Sequence, residues 1–506
     1  MPVTVSDQSF LSTRRGKFTL LLVCAVALLD LLDATVVNIA LPSMQRALHF
    51  SVTGLQWVPN GYLLTYGGFM LLGGRAGDLI GRRRVLIGGI VVIGVSSLFG
   101  GLASSSAMLV GARLAQGIGA AMTMPSTLAV LTTSFKEGKD RHTALGVYGA
   151  VAGLGAAVGV VLGGLLTQGP GWRWVFFINP IAAALLLVPV VRLISAENDG
   201  ARLKGFDASG ALLATGGMLV LVYGLVRAPS TGWGSAQTVG ELASAAVLLG
   251  LFVANELRHA NPLAPLSIFR INGLGFSDIT QFTTMAGFVA MFFFLTLYMQ
   301  DVLHYSAIKT AFSYLPLCFA IGGAATVSSQ LLSRVGTRAV IISGAIVTAG
   351  GLYWLSRIPV AGSYVADLLP GLLLVSFGVG PVFVAVTTAA NAGVPADKAG
   401  LAAALLNASQ QVGAALGLAV LTVLAADRTS GLITSHVLPA QAATAGFQRG
   451  LFVGSLFCLA AAFIGLRATN TRGETRARTT TIELPKAPDH EPVVAASNVP
   501  LDVTAS

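Results

Sequence analysis

Apolar residues fill most of the chain in long stretches, and charged residues are confined to short groups between them. Seven stretches contain no Asp, Glu, Lys or Arg: 85–112, 142–172, 208–226, 279–300, 310–333, 368–396 and 399–426. A helix that rises ~1.5 Å per residue needs about 20 residues to cross a hydrocarbon core of ~30 Å. The pattern therefore predicts membrane-spanning helices.

Shorter apolar runs, split at turn signals such as 103–106, bring the predicted number of spanning helices to fourteen. We place them near 18–42, 55–73, 85–103, 107–131, 143–167, 174–194, 208–227, 239–257, 275–300, 309–332, 339–357, 365–391, 400–425 and 447–466. The fold class predicted is an all-α polytopic membrane protein. The first apolar run is too long for a cleaved signal peptide, so we expect it to remain as the first helix.

Composition and charge narrow the functional classes. Hydrophobic residues make up 54% of the chain and charged residues 10%, against about 25% charged in soluble domains. These fractions exclude a soluble enzyme and a single-span receptor. The net charge of +10 comes from clusters between apolar stretches, which is how topology signals are distributed, so no nucleic-acid partner is expected.

Lysine and arginine predict the orientation. Of the 31, 23 fall on the side of the two termini, seven fall on the other side, and Arg113 lies inside a span. Because positively charged loops stay in the cytoplasm, both termini are predicted to be cytoplasmic.

The chain is predicted to contain two related halves. Residues 154–159 match 412–417 at an offset of 258, and 140–141 match 397–398 at 257. Two such halves around a midplane site are the architecture of alternating-access carriers. We predict a cytoplasmic N-terminal tail (1–17), an N-terminal six-helix bundle (18–194), a linker with two extra helices (195–272), a C-terminal six-helix bundle (273–466) and a disordered cytoplasmic tail (467–506).

Two acids lie deep in the first predicted helix. Asp30 and Asp33 are three residues apart and share a face. A carboxylate at the bilayer centre costs roughly 2.5–3.5 kcal/mol, so it normally faces a cavity or a partner. Carboxyls desolvated together titrate as one pair, which suits proton binding and release. The alternative is an acid held by a neighbouring helix for packing alone.

Arg113 is predicted to lie at the same depth as Asp33, about 8–9 Å below the outer boundary. A guanidinium beside these acids would link proton occupancy to the state of the cavity. Alternatively, Arg113 reaches up to the outer interface. Gln116, one turn further in, extends the polar stripe and favours the first interpretation.

Two glycine patterns are further candidates. The predicted loop 74–84 holds Gly74, Asp78, Gly81, Arg82 and Arg83, and its acid could pair with an arginine or cap a helix and so lock one conformation. Alternatively, the arginines only orient the protein in the membrane, because positively charged segments stay on the cytoplasmic side. The fifth helix carries small residues every four positions, which allow close packing or a bending or sealing role; they are Gly155, Gly159, Gly163 and Gly164.

Other polar residues could line a cavity. The tentative substrate positions are Asn38, Tyr62, Gln281 and Thr284. Asp278 could be a helix cap or a second proton site. The sequence shows no metal-ligand spacing, nucleophile motif or phosphate loop, so we expect no cofactor and an ion gradient as the energy source.

Four motifs together resemble a known family. They are Leu-Asp-Ala-Thr-Val-Val-Asn-Ile-Ala-Leu-Pro at 32–42, the glycine and arginine segment at 74–84, Arg-Leu-Ala-Gln-Gly-Ile-Gly-Ala at 113–120 and Trp-Arg-Trp-Val-Phe-Phe-Ile-Asn-Pro at 172–180. In this order they resemble the fourteen-helix drug:proton antiporters of the major facilitator superfamily. The resemblance implies two six-helix bundles with two inserted helices.

The resemblance also implies a function and roles for residues. It implies export of drugs or antibiotics, small hydrophobic or cationic compounds, across the bacterial cytoplasmic membrane in exchange for protons, and we expect a monomer in the lipid bilayer. Asp33 matches the family's first-helix acid, Arg113 the basic residue of proton coupling and Asp78 the acid of the gating loop. Val160 replaces the proline of the fifth-helix motif, and Asp30 is additional to the pattern.

Two other functions stay open from the sequence. The first is a carrier with the same fold that exports an endogenous metabolite, such as an amino acid, a sugar or a siderophore. The second is a membrane sensor that does not transport.

Overall fold

The computed structural model describes residues 10–135, 139–194, 207–259, 262, 268–269, 271, 273–394 and 399–472, which belong to one compact unit. These residues form fourteen long helices and no strand. They are α1 (Arg14–Leu48), α2 (Trp57–Ile80), α3 (Arg82–Gly101), α4 (Ser106–Ser134), α5 (Lys139–Gln168), α6 (Trp174–Leu193), α7 (Ala208–Thr231), α8 (Ala236–Arg258), α9 (Leu274–Leu297), α10 (Ala307–Val335), α11 (Thr337–Leu355), α12 (Leu369–Asn391), α13 (Ala399–Thr434) and α14 (Pro439–Gly465).

The predicted all-α membrane fold is confirmed. Thirteen helices in the described part of the chain are long and apolar enough to cross a membrane. The fourteenth, α2, is 24 residues long but less apolar, because glycine, tyrosine and charged residues interrupt its leucines. The chain is therefore a multi-pass membrane protein.

The predicted loop 74–84 is wrong. Helix α2 continues through Gly74 and Asp78 to Ile80, and α3 begins at Arg82. Only Gly81 separates them, with φ 96°, a backbone conformation that glycine adopts without strain. The apolar pattern ends at residue 73, but the hydrogen-bonded helix continues beyond the apolar part of the span.

The ends of the chain also differ from the prediction. Helix α14 begins at Pro439, eight residues before the predicted start. Residues 467–472 of the predicted disordered tail are ordered, because they pair with the start of α11: Thr337 N donates to Thr471 O at 2.9 Å, and Arg338 Nη2 donates to Ala468 O at 3.1 Å. Residues 1–9 and 473–506 lie outside the described residues.

The helices pack as two similar bundles. In α1–α6, α1 packs on α5, α2 on α4 and α3 on α6; in α9–α14, α9 packs on α13, α10 on α12 and α11 on α14. The extra helices α7 and α8 pack on each other, and α7 also packs against α2 and α13. The bundles meet through the equivalent pairs α5–α10 and α13–α2.

Contacts of glycines with the neighbouring helix show which residues of the two bundles occupy equivalent positions. A methyl group at Gly155 would meet Leu31 on α1, and one at Gly413 would meet Phe282 on α9. The two contact partners differ by 251 positions, as do Thr35 and Ala286, which face Gly159 and Gly417. The positions equivalent to Asp30 and Asp33 are therefore Gln281 and Thr284.

We call the side with the start of α1 the terminal face. The starts of α1 and α5 meet there, since Leu11 N donates to Asp140 Oδ2 at 3.2 Å. On the opposite face the bundles are in contact: Gln300 Nε2 donates to Ile39 O at 2.9 Å, and Ile308 N donates to Gln168 Oε1 at 3.2 Å. The bundles are thus closed against each other on the opposite face.

Candidate functional site

The central feature of the N-terminal bundle is an ion pair between α1 and α4. Arg113 Nη1 donates to Asp33 Oδ2 at 2.7 Å, and both side chains are almost completely buried, with 1% and 2% exposure. Arg113 Nε also donates to the backbone oxygen of Val58 on α2 at 2.9 Å. The alternative that Arg113 reaches the outer interface does not fit this geometry.

Amide groups complete the surroundings of Asp33. Its Oδ1 accepts from Gln116 Nε2 at 2.9 Å and from Asn179 Nδ2, on α6, at 2.6 Å. Gln116 Oε1 accepts from Arg113 Nη1 at 3.0 Å, and Ser97 Oγ on α3 accepts from Gln116 Nε2 at 2.6 Å. Each of these polar side chains has a hydrogen-bond partner within the group, as a buried charge requires. The Asp33 carboxylate on α1 is therefore held by a cation and an amide from α4 and a second amide from α6.

Asp30 has different partners from Asp33. Thr123 Oγ1 on α4 donates to its Oδ2 at 2.7 Å, while its Oδ1 is buried without a hydrogen-bond partner among the described residues. The Arg113 guanidinium lies over the Tyr62 ring, 4.4 Å from the centroid, and the Tyr62 hydroxyl donates to the backbone oxygen of Asp30 at 3.4 Å. Tyr62 thus contacts both the Arg113 guanidinium and the backbone of Asp30.

The C-terminal half has no copy of this ion pair. The glycine contacts equate Asp33 with Thr284. Gly119 contacts Gly89 in the N-terminal half as Gly378 contacts Gly344 in the C-terminal half, so Gly119 corresponds to Gly378. At the same offset Arg113 corresponds to Leu372, which is apolar and buried. Since both halves form the same bundle, the fold does not require the ion pair. This asymmetry argues that the pair has a functional rather than a packing role.

The predicted gating residues lie at the α2–α3 junction on the terminal face. Gly74 lies in the last turns of α2, Gly81 separates α2 from α3, and Arg82 and Arg83 are partly buried at the start of α3. The backbone of Asp78 is helical, but its side chain lies outside the described residues, so its predicted pairing stays a prediction.

The glycines of α5 face two different helices. Gly155, Gly159 and Gly163 pack against α1, where a methyl group at Gly163 would lie 2.7 Å from the backbone oxygen of Val36. Gly164 instead packs across the bundle interface, where a methyl group would lie 2.7 Å from Ala311 Cβ on α10. The close packing that the spacing indicates is present. Val160 is buried in the apolar core beside them.

The tentative cavity residues are scattered. Tyr62 joins the Arg113 site, whereas Asn38 donates to Ala34 O of its own helix at 3.3 Å. Gln281 lies in the other bundle and donates to Gln410 on α13 at 3.1 Å. Thr284 is fully buried, and its hydroxyl donates to Thr280 O of the same helix at 2.8 Å.

The sequence interpretation missed three members of the site: Ser97, Thr123 and Asn179. Two of them carried a signal. Thr123 is ten residues after Arg113 on the face that also holds Gln116, and Asn179 is a lone amide in the apolar start of α6. Ser97 had none, because serines are common in membrane helices.

Known proteins are similar to this chain over most of its length. The model of the Major Facilitator Superfamily matches residues 23–418. The puromycin resistance protein pur8 of Streptomyces alboniger is 38% identical over 443 residues, 87% of this chain and 88% of that protein. The cephamycin export protein CmcT of Amycolatopsis lactamdurans is 38% identical over 428 residues, 83% of this chain and 87% of that protein.

Solved structures share the fold. An inward-facing, occupied bacterial homologue of the human lysosomal transporter Spinster gives a TM-score of 0.61 at 17% identity and covers 90% of this chain and 97% of its own. A D-xylose-proton symporter gives 0.61 at 14% identity and covers 91% and 99%. With the family model spanning most of the length, the predicted family is confirmed, and this chain belongs to the Major Facilitator Superfamily.

Proposed function

We propose that the protein exports drugs or antibiotics across the bacterial cytoplasmic membrane in exchange for protons. The observation that carries the proposal is the buried ion pair of Asp33 and Arg113, which is absent from the equivalent positions of the C-terminal half. Relatives named for puromycin resistance and for cephamycin export support the substrate class. The excess of Lys and Arg near the termini supports a cytoplasmic terminal face.

The geometry suggests how a proton would act. While Asp33 is ionised, Arg113, Gln116 and Asn179 all donate to it or to one another, and α1, α4 and α6 are held together. A proton on Asp33 removes the charge that Arg113 neutralises and turns one acceptor oxygen into a donor. The network must then rearrange.

Alternating access connects this rearrangement to export. The bundles are closed against each other on the opposite face, so in the proposed orientation substrate enters from the cytoplasm. Proton arrival at Asp33 in the outward-open state favours release of substrate, and proton loss to the cytoplasm resets the carrier. One charge across 100 mV supplies ~2.3 kcal/mol for each cycle.

Everted membrane vesicles test the proposal. With an acidified interior, addition of puromycin or another antibiotic from a panel should cause proton release from vesicles that contain the wild-type protein. Asp33→Asn keeps the shape of the side chain but cannot release a proton, so the drug-induced release should disappear. Undiminished release by Asp33→Asn would contradict the proposed role of Asp33. If a metabolite causes proton release and none of the antibiotics does, the alternative substrate class is favoured.

A further inference from the structure

A second acid is buried in the C-terminal bundle, away from the Arg113 site. Asp278 lies in α9, about 6 Å from its first residue at ~1.5 Å per residue, and is 4% exposed. Neither carboxylate oxygen has a hydrogen-bond partner among the described residues. An unpaired buried carboxylate costs several kcal/mol, so Asp278 requires either a proton or a bound cation as its partner.

A third acceptor lies one turn further along the same face. Gln281 follows Asp278 by three residues, is 3% exposed, and its Oε1 is also buried without a partner. Its amide is oriented by Gln410 on α13, whose Oε1 accepts from Gln281 Nε2 at 3.1 Å. The result is three acceptor oxygens on one helix face and no donor for any of them.

No resident cation serves these oxygens in the described part of the chain. Among the helices that contact α9, α12 has no charged residue, α13 has Asp427 and Arg428 near its last turn, and α14 has only Arg449. Helix α1 also contacts α9, and its basic residues are Arg14, Arg15 and Lys17 in its first turn and Arg46 in its last. Arg467 lies over the Phe276 ring, 5.9 Å from the centroid, and Arg338 on α11 donates to the backbone oxygen of Ala468. No described residue therefore donates to these oxygens, and a bound ligand could supply the donors.

Side chains connect this position to the Arg113 site. The Tyr62 and Tyr66 rings lie 5.6 Å apart, and Tyr66 shares a hydrogen bond with Gln411, which follows Gln410 on α13. By the glycine correspondence, Gln281 occupies the place of Asp30. Gln281 thus lies in the C-terminal half at the depth of Asp30, and Asp278 lies one turn nearer the terminal face.

We propose that Asp278 and Gln281, with Gln410 orienting Gln281, bind the ammonium group of a cationic substrate. An ammonium group carries a positive charge and three N–H donors, one for each of these oxygens, whereas a proton on Asp278 supplies a single O–H donor for the three. The inference rests on the proposed export function, because it names the substrate class: apolar amines that are protonated at neutral pH. In the present conformation the site is occluded.

A matched pair of ligands tests the site. Dansylcadaverine is a fluorescent primary amine, and its N-acetyl derivative has the same apolar body without the charge. Binding of both to purified protein in detergent is measured by fluorescence, without any proton gradient. The wild type should bind the amine at least about tenfold more tightly than the acetylated compound, since a hydrogen bond to a charged group contributes this much. Equal affinity for the two compounds would overturn the inference.

Substitutions test whether the preference for the amine depends on Asp278 and Gln281. Asp278→Asn should abolish the preference for the amine and leave binding of the acetylated compound unchanged. Gln281→Leu should reduce the preference but not remove it, and it tests the site independently if Asp278→Asn does not fold. Asp301→Asn, which replaces an exposed acid four residues after the end of α9, is the control and should keep the full preference.

Two results would contradict the site. They are an unchanged preference in both Asp278→Asn and Gln281→Leu, and an equal loss of affinity for both compounds. Loss of proton coupling by Asp278→Asn with an unchanged preference would mean a proton site only and would also overturn the inference. Failure of the export function itself would appear separately, as absence of drug-induced proton release in vesicles of the wild type.

Discussion

Arg113 and Asp33 form a buried ion pair at 2.7 Å that joins α4 to α1. The guanidinium has three acceptors in different directions, on Asp33, Gln116 and the backbone of Val58. A planar guanidinium with five N–H donors suits this arrangement, and an ammonium group does not. The pair therefore depends on the identity of both residues and not on charge alone.

Removal of one partner should destabilise the protein more than removal of both. Arg113→Met leaves a buried carboxylate without a countercharge, which costs about 3–5 kcal/mol. The double variant with Asp33→Asn removes both charges and should recover most of that stability without recovering transport. Thermal unfolding of the purified variants measures the difference. Strictly additive losses would show that the two residues are not coupled in the folded protein.

Arg113→Lys is the conservative companion of that experiment. It keeps the positive charge near Asp33 but cannot serve Val58 O and Gln116 at the same time. We expect near wild-type expression with drug transport reduced about tenfold or more, since the loss of even one charge-assisted hydrogen bond amounts to ~1.5–3 kcal/mol. Wild-type transport by this variant would mean that only the charge of Arg113 matters.

The sequence predicted the parts of the site that are chemically unusual for a membrane. Asp33 and Arg113 stand out because charged residues are rare inside spans, and a rise of ~1.5 Å per residue is enough to match their depths. Ser97 could not be found in this way. Small hydroxyl residues are common in such helices, and which of them faces the acids depends on the rotation of α3 about its axis.

The helix boundaries were likewise only partly predictable from the sequence. Apolar length predicts where a helix crosses the membrane, and thirteen of the fourteen predicted helices are long and apolar enough to do so in the described part of the chain. It does not predict where the backbone hydrogen bonds stop. Helix α2 continues past its apolar part to Ile80, and α13 continues to Thr434, because helical hydrogen bonding is independent of whether the side chains are apolar.

Asp207 is predicted to make the α7–α8 pair sensitive to acid. It precedes the spanning segment of α7, and its Oδ1 accepts from Gly210 N at 2.8 Å and from Asn255 Nδ2, on α8, at 3.0 Å. Burial raises the pKa of Asp207, but hydrogen bonds from Gly210, Ser209 and Asn255 and the nearby His259 outweigh it, so the pKa lies below its ordinary value.

The sign of the pH effect follows from that shift. Because the folded-state pKa is lowered, the stabilisation is complete above the unfolded pKa of ~3.9 and is lost as the pH falls through the folded value. Asp207→Ala should weaken the first turn of α7 by about 1 kcal/mol at pH 7, and the difference from wild type should shrink below about pH 4. Hydrogen exchange of α7, compared with wild type at each pH, measures this. An undiminished difference at low pH would mean that the carboxylate charge contributes nothing.

Gly164 is predicted to control closure of the opposite face. It packs between the bundles, where a methyl group would lie 3.1 Å from Ala307 O and 2.7 Å from Ala311 Cβ. Gly164→Leu should disfavour the closed form by about 1–3 kcal/mol, as overpacking does, or about 5- to 150-fold in population.

A cysteine-labelling experiment measures this opening. The probe is Thr167→Cys, at a buried position nearby, which is labelled with a membrane-impermeant thiol reagent after replacement of the three native cysteines. Labelling should accelerate with Gly164→Leu but not with the control Gly149→Leu, because nothing lies within 4 Å of a methyl group there. Equal acceleration by both variants would show general loosening of α5 rather than opening of this interface.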